Sequence, residues 1–358
     1  MRTRGDIARR DTLLSPSVVS LWKVSLCVDS AVSRSATTGP HTAAGAASRA
    51  TPSITSEETR VFGHRIRYLT GGAGEPVLLL HGLADTADAW GRVLPTLATR
   101  CRVFAPDLLG CGDSDKPAVD YSLWAQATYL RHFMDNVGIE RAIIVGHSLG
   151  GGLALHMYMQ YPERVSRLAL IASGGMGRDL PLSLRLCTLA GSSPVIGALL
   201  GSRHQRHPVA RVGHTVLGRL WPATAAADRA RHTAAAMLSA DEALTNAEEA
   251  GILERLREPA ARAAFLATLR SVGSLRGQRG SALHALSLID TPVLLIHGER
   301  DATIPVSHGH TALTRLKRGR LSVIPSCGHC PQRETPEQVS SLLLDFFAAD
   351  EWPRPRAG

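Results

Sequence analysis

The sequence predicts an α/β fold in which helices flank a mostly parallel central sheet. Short apolar runs alternate along the chain with longer stretches of helical spacing, and this alternation is typical of parallel strands joined by helices. One of the runs leads through a glycine-bounded serine into a helix-forming stretch. The predicted strands of the sheet are Val77–Leu80, Val103–Ala105, Ala142–Val145, Val165–Ala172, Pro292–His297 and Leu321–Ile324.

Other elements precede and separate these strands. Residues Thr59–Leu69 predict an opening hairpin that turns at Gly63-His64. Asp88–Ala98 predicts a helix with a proline inside it, and Ser122–Val137 predicts another helix from its apolar spacing. Because parallel strands end at the same edge of a sheet, ligands are expected at the carboxyl ends of these strands.

The pentapeptide Gly146-His147-Ser148-Leu149-Gly150 joins a predicted strand to a predicted helix. The two glycines leave room for a sharp turn that strains the serine backbone. Such a turn lifts the Ser148 hydroxyl above the sheet edge, at the N-terminus of the following helix. Ser148 is therefore the predicted nucleophile, and His147 is predicted to pack within the turn rather than to transfer protons.

A serine hydroxyl is a weak nucleophile at neutral pH, so it needs a base and a carboxylate that orients the base. Two later predicted strands end in polar loops, the first carrying Asp301 and the second His329. We expect His329 to take and return the proton of Ser148, with Asp301 orienting His329. Asp179, which follows the strand after the serine turn, is the weaker candidate for the acid.

These motifs resemble the α/β-hydrolase superfamily, and within it the branch of esterases and C–C hydrolases. The resemblance extends from about Arg60 to Phe347, and the order Ser, Asp, His is the order of that superfamily. It implies an enzyme whose substrate the fold alone does not specify. The matching pieces are Leu80-His81-Gly82-Leu83, the stretch from Pro106 to Pro117, the serine turn, Gly298-Glu299-Arg300-Asp301, and Gly328-His329 with Glu334-Thr335-Pro336.

Two backbone N–H groups are predicted to form the oxyanion hole. Attack on a carbonyl creates a negative oxygen, which preorganised donors stabilise. The residue after the nucleophile, Leu149, supplies one donor. The loop after the Val77–Leu80 strand supplies the other, which we assign to Leu83.

The chain of 358 residues is long enough for one core with an inserted subdomain. The predicted core comprises residues 55–173 and 290–350, and the predicted helical cap comprises residues 174–289. Within the cap, Leu186–Ser202 carries no charge. It is predicted to be either cap core or an apolar lid that faces an acyl chain or a membrane surface.

Residues 1–54 have a different composition, rich in Ser, Thr, Ala and Arg and without Glu. They predict a disordered extension or an over-long start assignment, with a targeting segment as the weaker hypothesis. Their seven Lys and Arg and three Asp contribute +4 of the net charge of +9. The remaining charge forms no basic stripe with interleaved aromatics, which argues against nucleic-acid binding. A cytoplasmic location is expected, and the oligomeric state is open.

Two groups of residues resemble a redox dithiol and a metal site, but their surroundings in the sequence argue against both functions. Cys327 and Cys330 have the spacing of a redox dithiol, but they flank the predicted catalytic histidine rather than opening a helix. Whether they pair is open. His204, His207 and His214 cluster without a cysteine or carboxylate to complete a metal site, so they predict a solvated basic face. We expect neither a cofactor nor a metal.

The sequence thus predicts a serine hydrolase of a carboxylic ester with an apolar acyl or alcohol part, acting through an acyl-enzyme. Dehalogenases and epoxide hydrolases of the resembled superfamily carry a carboxylate in the place of Ser148, so their alkyl-ester chemistry is not expected. C–C bond hydrolysis, acyl transfer and perhydrolysis are the alternatives, and a non-catalytic binding protein is the alternative from another class. Resembling C–C hydrolases carry a Trp where Cys330 stands and a Gly-rich loop where Leu83-Ala84-Asp85 stands.

Overall fold

The structure, a computed structural model, describes residues 52–193, 246–279 and 282–349. Four predictions therefore lie wholly or partly outside the described residues. They are the extension up to residue 51, the cap at residues 194–245 and 280–281, the cluster of His204, His207 and His214, and the apolar segment from residue 194 onward. No helix among the described residues is long and apolar enough to cross a membrane.

The described residues form an eight-stranded sheet with the strand order β1-β2-β4-β3-β5-β6-β9-β10. The first three strands in this order pair antiparallel, and the others pair parallel. The short strands β7 and β8 form a separate antiparallel pair. The bounds are β1 Thr55–Val61, β2 His64–Gly71, β3 Pro76–Leu80, β4 Arg102–Pro106, β5 Ala142–His147, β6 Val165–Ile171, β7 Gly273–Ser274, β8 Gly277–Gln278, β9 Val293–Gly298 and β10 Gly319–Ile324.

Helices connect these strands and cover both faces of the sheet. In chain order the α-helices of the described residues are α1 Leu94–Ala98, α2 Leu123–Asn136, α3 Leu149–Gln160, α4 Leu182–Cys187, α5 Asn246–Arg257, α6 Pro259–Val272, α7 Leu283–Leu286, α8 Ser307–Leu313, α9 Pro331–Glu334 and α10 Pro336–Ala348. Short 3₁₀ turns lie at Ala87–Trp90 and Pro162–Arg164.

Alternate side chains of the central strands feed two cores on opposite faces of the sheet. In β5, Ile144 packs with residues of α2 and α3, whereas Val145 packs with residues of α1 and α10. This alternation follows from the period of two in a strand, and a strand covered on both faces must be apolar throughout. The predicted α/β architecture with a mostly parallel sheet is confirmed.

Two predicted elements differ from the structure. The opening hairpin is longer than predicted and turns at Phe62-Gly63, both with positive φ, rather than at Gly63-His64. The predicted helix Asp88–Ala98 is two elements, a 3₁₀ turn and α1. The break arises because Thr86 caps the first turn through its side chain and Pro95 fits only the first turn of a new helix.

The described part of the predicted cap contains helices α4 to α7 and the β7–β8 pair. Leu184 of α4 packs with leucines of α5 and α6 in a third apolar cluster. The described part of this stretch is therefore largely helical, as its composition predicted. The cap boundaries at residues 174 and 289 stay predictions. The third cluster comprises Leu184, Ile252, Leu253, Leu256, Phe265, Leu266 and Leu269.

Candidate active site

Ser148 lies at the turn between β5 and α3, with φ 52° and ψ −114°. A positive φ is strained for a residue with a side chain, and such strain is common at functional turns. The neighbouring glycines are required by space, since a Cβ at Gly146 would lie 2.3 Å from the Gly150 carbonyl oxygen. A Cβ at Gly150 would lie 2.2 Å from the backbone oxygen of Leu80. The turn therefore requires glycine at positions 146 and 150, because any other side chain there would collide with the backbone.

The structure brings Ser148, His329 and Asp301 together in a line. Nε2 of His329 lies 3.1 Å from Oγ of Ser148, and Nδ1 of His329 lies 2.9 Å from Oδ2 of Asp301. The carboxylate accepts a hydrogen bond from Nδ1–H, so Nε2 is left as the acceptor that faces the hydroxyl. This is the hydrogen-bonding arrangement that an activated serine requires.

The Asp301 carboxylate is fully buried, but donors surround it. Its Oδ1 accepts hydrogen bonds from the backbone N–H of Thr303 at 2.9 Å and of Ile304 at 2.8 Å. Burial alone would raise the pKa of Asp301, but hydrogen bonds from His297, His329 and the backbone lower it below its ordinary value. Asp301 is therefore ionised at neutral pH and can orient His329.

Asp179 has a different partner. Its Oδ2 lies 2.7 Å from Nε2 of His308, at the start of α8. The structure thus pairs each of the two acid candidates with its own histidine. Only the Asp301 pairing includes His329, which is the histidine beside Ser148.

The loop that carries His329 is held by groups for which sequence reasoning assigned no such role. Glu334 accepts hydrogen bonds from the backbone N–H groups of Gly328 at 2.7 Å and Cys330 at 3.0 Å. Nε2 of His147 donates to the His329 carbonyl oxygen at 2.9 Å. Burial and the nearby His329 lower the pKa of His147 to about 3, so its ring is neutral at physiological pH. The available signal was the position of Glu334 in the motif of Gly328-His329 and Glu334-Thr335-Pro336.

The predicted oxyanion donors both border the cavity beside Ser148. Leu149 is the first residue of α3, so its N–H has no partner within the helix. Leu83 follows β3, and within the described part of the chain its N–H makes no hydrogen bond. The loop comes close to the nucleophile, since a Cβ at Gly82 would lie 3.5 Å from Cβ of Ser148. Both donors are thus free to receive a substrate oxygen.

A cavity of about 500 Å³ opens onto Ser148 and His329. Its walls come from the predicted core on one side and from α4 to α7 on the other. Most of the lining is apolar, and its polar side chains include those of Ser148, His156, His284 and His329. The apolar lining includes Leu83, Leu123, Trp124, Leu155, Met159, Leu180, Leu184, Ile252, Leu269, Val272, Ala285 and Ile304.

Among the described residues, Cys327 and Cys330 form no disulfide, and the structure places no metal-binding cluster. Cys327 and Cys330 are both buried, and burial, with Glu334 nearby, raises the pKa of Cys327 to about 12. Sγ of Cys330 lies 3.7 Å from Nε2 of His147. Among the described residues, no group of three or more His, Cys, Asp or Glu is placed to hold a metal ion.

The family of the chain follows from a direct comparison. A family model of the alpha/beta hydrolase fold matches residues 75–336. The chain therefore belongs to the α/β-hydrolase fold family, and it is an enzyme of that superfamily.

Relatives within the family differ in their reactions. An uncharacterised protein of Mycobacterium tuberculosis is 36% identical over 292 residues, which cover 81% of this chain and 80% of the relative. A 2-hydroxymuconate semialdehyde hydrolase of a Pseudomonas species is 30% identical over 296 residues, which cover 80% of this chain and 91% of the relative. The solved structure of a bacterial membrane phospholipase A has a TM-score of 0.56 and 27% identity, covering 82% of this chain and 86% of that one.

Proposed function

We propose that the protein is a serine hydrolase that cleaves a carboxylic ester through an acyl-enzyme. The observation that carries the proposal is the line from Asp301 through His329 to Ser148, with contacts of 2.9 Å and 3.1 Å. A serine with a hydrogen-bonded base, an ionised orienting carboxylate and two free backbone donors can attack an acyl carbon. No metal or cofactor is needed for this chemistry.

The proposed reaction has two halves. Oγ of Ser148 attacks the ester carbonyl while Nε2 of His329 takes its proton, and the N–H groups of Leu83 and Leu149 stabilise the negative oxygen. The tetrahedral intermediate collapses, the C–O bond breaks, and His329 returns the proton to the departing alcohol. Water then repeats the sequence on the acyl-enzyme, which releases the acid and regenerates Ser148.

The cavity supports an apolar acyl or alcohol part. Leu184 of α4 and Leu269 of α6 line it and are themselves almost fully buried. Each methylene that enters such a site gains about 0.8 kcal/mol from leaving water. The same lining includes the polar side chains of His156, Arg279 and His284, which can accommodate a polar group elsewhere on the substrate.

C–C bond hydrolysis is the alternative within enzymes, and the 2-hydroxymuconate semialdehyde hydrolase similarity favours it. Against it stand Cys330, where resembling C–C hydrolases carry Trp, and the loop Leu83-Ala84-Asp85 in the place of a Gly-rich loop. Acyl transfer and perhydrolysis use the same triad and differ only in the acceptor. Parallel assays with p-nitrophenyl butyrate and a 2-hydroxy-6-oxodienoate distinguish the reactions: faster turnover of the dienoate, per active site, contradicts the ester proposal.

Labelling with a fluorophosphonate tests the nucleophile itself. The wild-type chain should be labelled and should hydrolyse p-nitrophenyl esters, and Ser148→Ala should lose both while its melting temperature is kept. A loss of turnover on the order of 10⁵-fold is expected from removal of a triad serine. Absence of wild-type labelling would instead favour the non-catalytic binding protein, and retained turnover in Ser148→Ala would exclude Ser148 as nucleophile.

We propose in addition a peripheral membrane contact through the outer face of α4. Leu182 and Leu186 are 69% and 44% exposed, and Leu189 and Leu275 beside them are exposed as well. Arg178 and Arg276 are exposed nearby, so the surface suits an anionic lipid layer. In a sedimentation assay with phosphatidylglycerol vesicles, the protein should appear in the vesicle pellet, and Leu182→Ser should reduce the bound fraction. Absence of binding at low salt would contradict the contact.

The cytoplasmic location stays a prediction.

A further inference from the structure

A buried ion pair lies in the wall of the catalytic cavity outside the triad. Nη2 of Arg333 lies 2.9 Å from Oδ1 of Asp85, and the two side chains are only 7% and 8% exposed. Both residues border the cavity beside Gly82, Ser148 and His329. Buried charges are costly unless they are paired, so this contact is strongly constrained once the chain has folded.

One end of the pair closes the loop that carries Leu83. This loop has little hydrogen bonding of its own, because its internal backbone contact, from Asp85 N–H to the Gly82 oxygen, is long at 3.4 Å. Ala84 has φ 60°, which is strained for a residue with a side chain. The loop start is fixed, since Nδ1 of His81 donates to the Gly82 oxygen at 2.8 Å. The loop end therefore depends on the Asp85 side chain.

Asp85 secures that end in two ways. Its Oδ1 accepts the backbone N–H of Thr86 at 2.8 Å as well as the Arg333 guanidinium. Burial opposes ionisation, but Arg333 lowers the pKa of Asp85 below its ordinary value, so the carboxylate is charged at neutral pH.

The other end of the pair belongs to the segment that carries His329. Arg333 lies in α9, four residues after His329, and its backbone N–H donates to the Cys330 oxygen at 2.8 Å. Its own carbonyl oxygen accepts from Nη1 of Arg92 at 2.8 Å. The ion pair thus joins the Leu83 loop to α9, two segments that are 248 residues apart in sequence and that border the same cavity as Ser148.

We propose that Asp85 and Arg333 are a positioning pair that holds the Leu83 N–H in register with His329 over Ser148. The proposal rests on the proposed function, because it assigns the pair to the oxyanion hole of that reaction. The shown ion pair links the Leu83 loop to the segment that follows His329, so we assign its effect to the position of the Leu83 N–H. Its loss should weaken stabilisation of the transition state while leaving substrate binding nearly unchanged.

Arg333→Met tests the pair in steady-state assays with p-nitrophenyl butyrate. We expect kcat to fall by about 10²-fold, the usual effect of losing one oxyanion donor, with KM within about threefold of the wild-type value. The Ki of an alkyl boronic acid, which forms a tetrahedral adduct on serine, should rise by the same factor as kcat falls. Asp85→Asn combined with Arg333→Gln keeps a neutral hydrogen bond and should restore most of both quantities.

Arg67→Met is the matched control, since it breaks the partly buried contact of 3.5 Å between Arg67 and Asp107, which does not border the cavity. It should lower stability without changing kcat or Ki. The proposal is overturned if Arg333→Met, folded by circular dichroism, keeps both values within about threefold of the wild type, or if Arg67→Met changes them equally.

Two further measurements separate the possible failures. If Arg333→Met does not fold, Arg333→Lys keeps the charge but loses the planar fork, and kcat and Ki should still shift together, by about tenfold; wild-type values in that variant overturn the proposal. Failure of the proposed function itself is recognised independently, from absent fluorophosphonate labelling of the wild type, from faster turnover of the dienoate than of the ester, or from turnover retained in Ser148→Ala.

Discussion

The edge of the sheet that carries Ser148 and the described helices between β6 and β9 restrict their residues in different ways. At the edge, backbone packs on backbone: a Cβ at Gly298 would lie 2.0 Å from the Gly328 oxygen, and one at Gly150 would lie 2.2 Å from the Leu80 oxygen. In α5, a Cβ at Gly251 would meet only the tip of Arg255, at 3.4 Å. The edge accepts one residue type at such positions, whereas the helices accept many.

This difference explains what can be recognised in the sequence. Chemistry placed by backbone contacts leaves a short, fixed motif, and the serine turn is such a motif. Pocket walls made of leucines leave only composition, because leucine, isoleucine and methionine can replace one another at modest cost. The reaction class is therefore easier to predict than the substrate.

After the loss of Ser148 itself, the largest expected effect lies at the edge, in the acid of the triad. Asp301→Asn should keep the fold but lower kcat by about 10⁴-fold, since an amide favours the wrong tautomer of His329. Asp179→Asn is the matched control, because Asp179 binds His308 instead. Steady-state kinetics of both variants checks the assignment; a large loss at Asp179 with little loss at Asp301 would reverse it.

A pair of identical substitutions compares the two regions directly. Gly150→Ala forces a methyl group into the Leu80 backbone, so the variant should misfold or lose at least about 10²-fold in kcat. Gly251→Ala, in α5, should stabilise the protein by roughly 0.5–1 kcal/mol, as expected in a helix interior. Urea unfolding and esterase assays measure both changes, and equal effects at the two positions would remove the proposed contrast.

A smaller effect is expected in the pocket wall. Wild-type kcat/KM should rise about fourfold per methylene from acetate to longer acyl esters, and then level off when the cavity is full. Leu184→Asp, on the buried side of α4, should flatten this rise more than it slows acetate esters. Leu182→Asp, on the exposed side of the same helix, should leave the profile unchanged. A flat wild-type profile would indicate a small polar pocket.

The sequence predicted the central strands and the serine turn because both are local patterns. It predicted Asp301 and His329 because each follows a strand at the catalytic edge. It did not predict the ion pair between Asp85 and Arg333, since no local pattern marks two residues that meet only after the sheet has formed. It also missed the start of β1, whose residues are polar and largely exposed.

The smallest expected effect concerns the chain before the sheet. Ile54 packs against the apolar core, and its Cδ1 would lie 2.7 Å from a Cβ at Gly71, so a shortened chain should begin at Pro52 rather than at Thr55. The composition of residues 1–51 predicts that they add no core. The shortened chain should therefore melt within about 2 °C of the full chain, since a change of 1 kcal/mol moves the Tm of a large domain by about 2–4 °C. Its kcat on p-nitrophenyl butyrate should be unchanged. A Tm that falls by many degrees would mean that residues 1–51 pack on the domain. They would then form a third region to compare with the sheet edge and the helices.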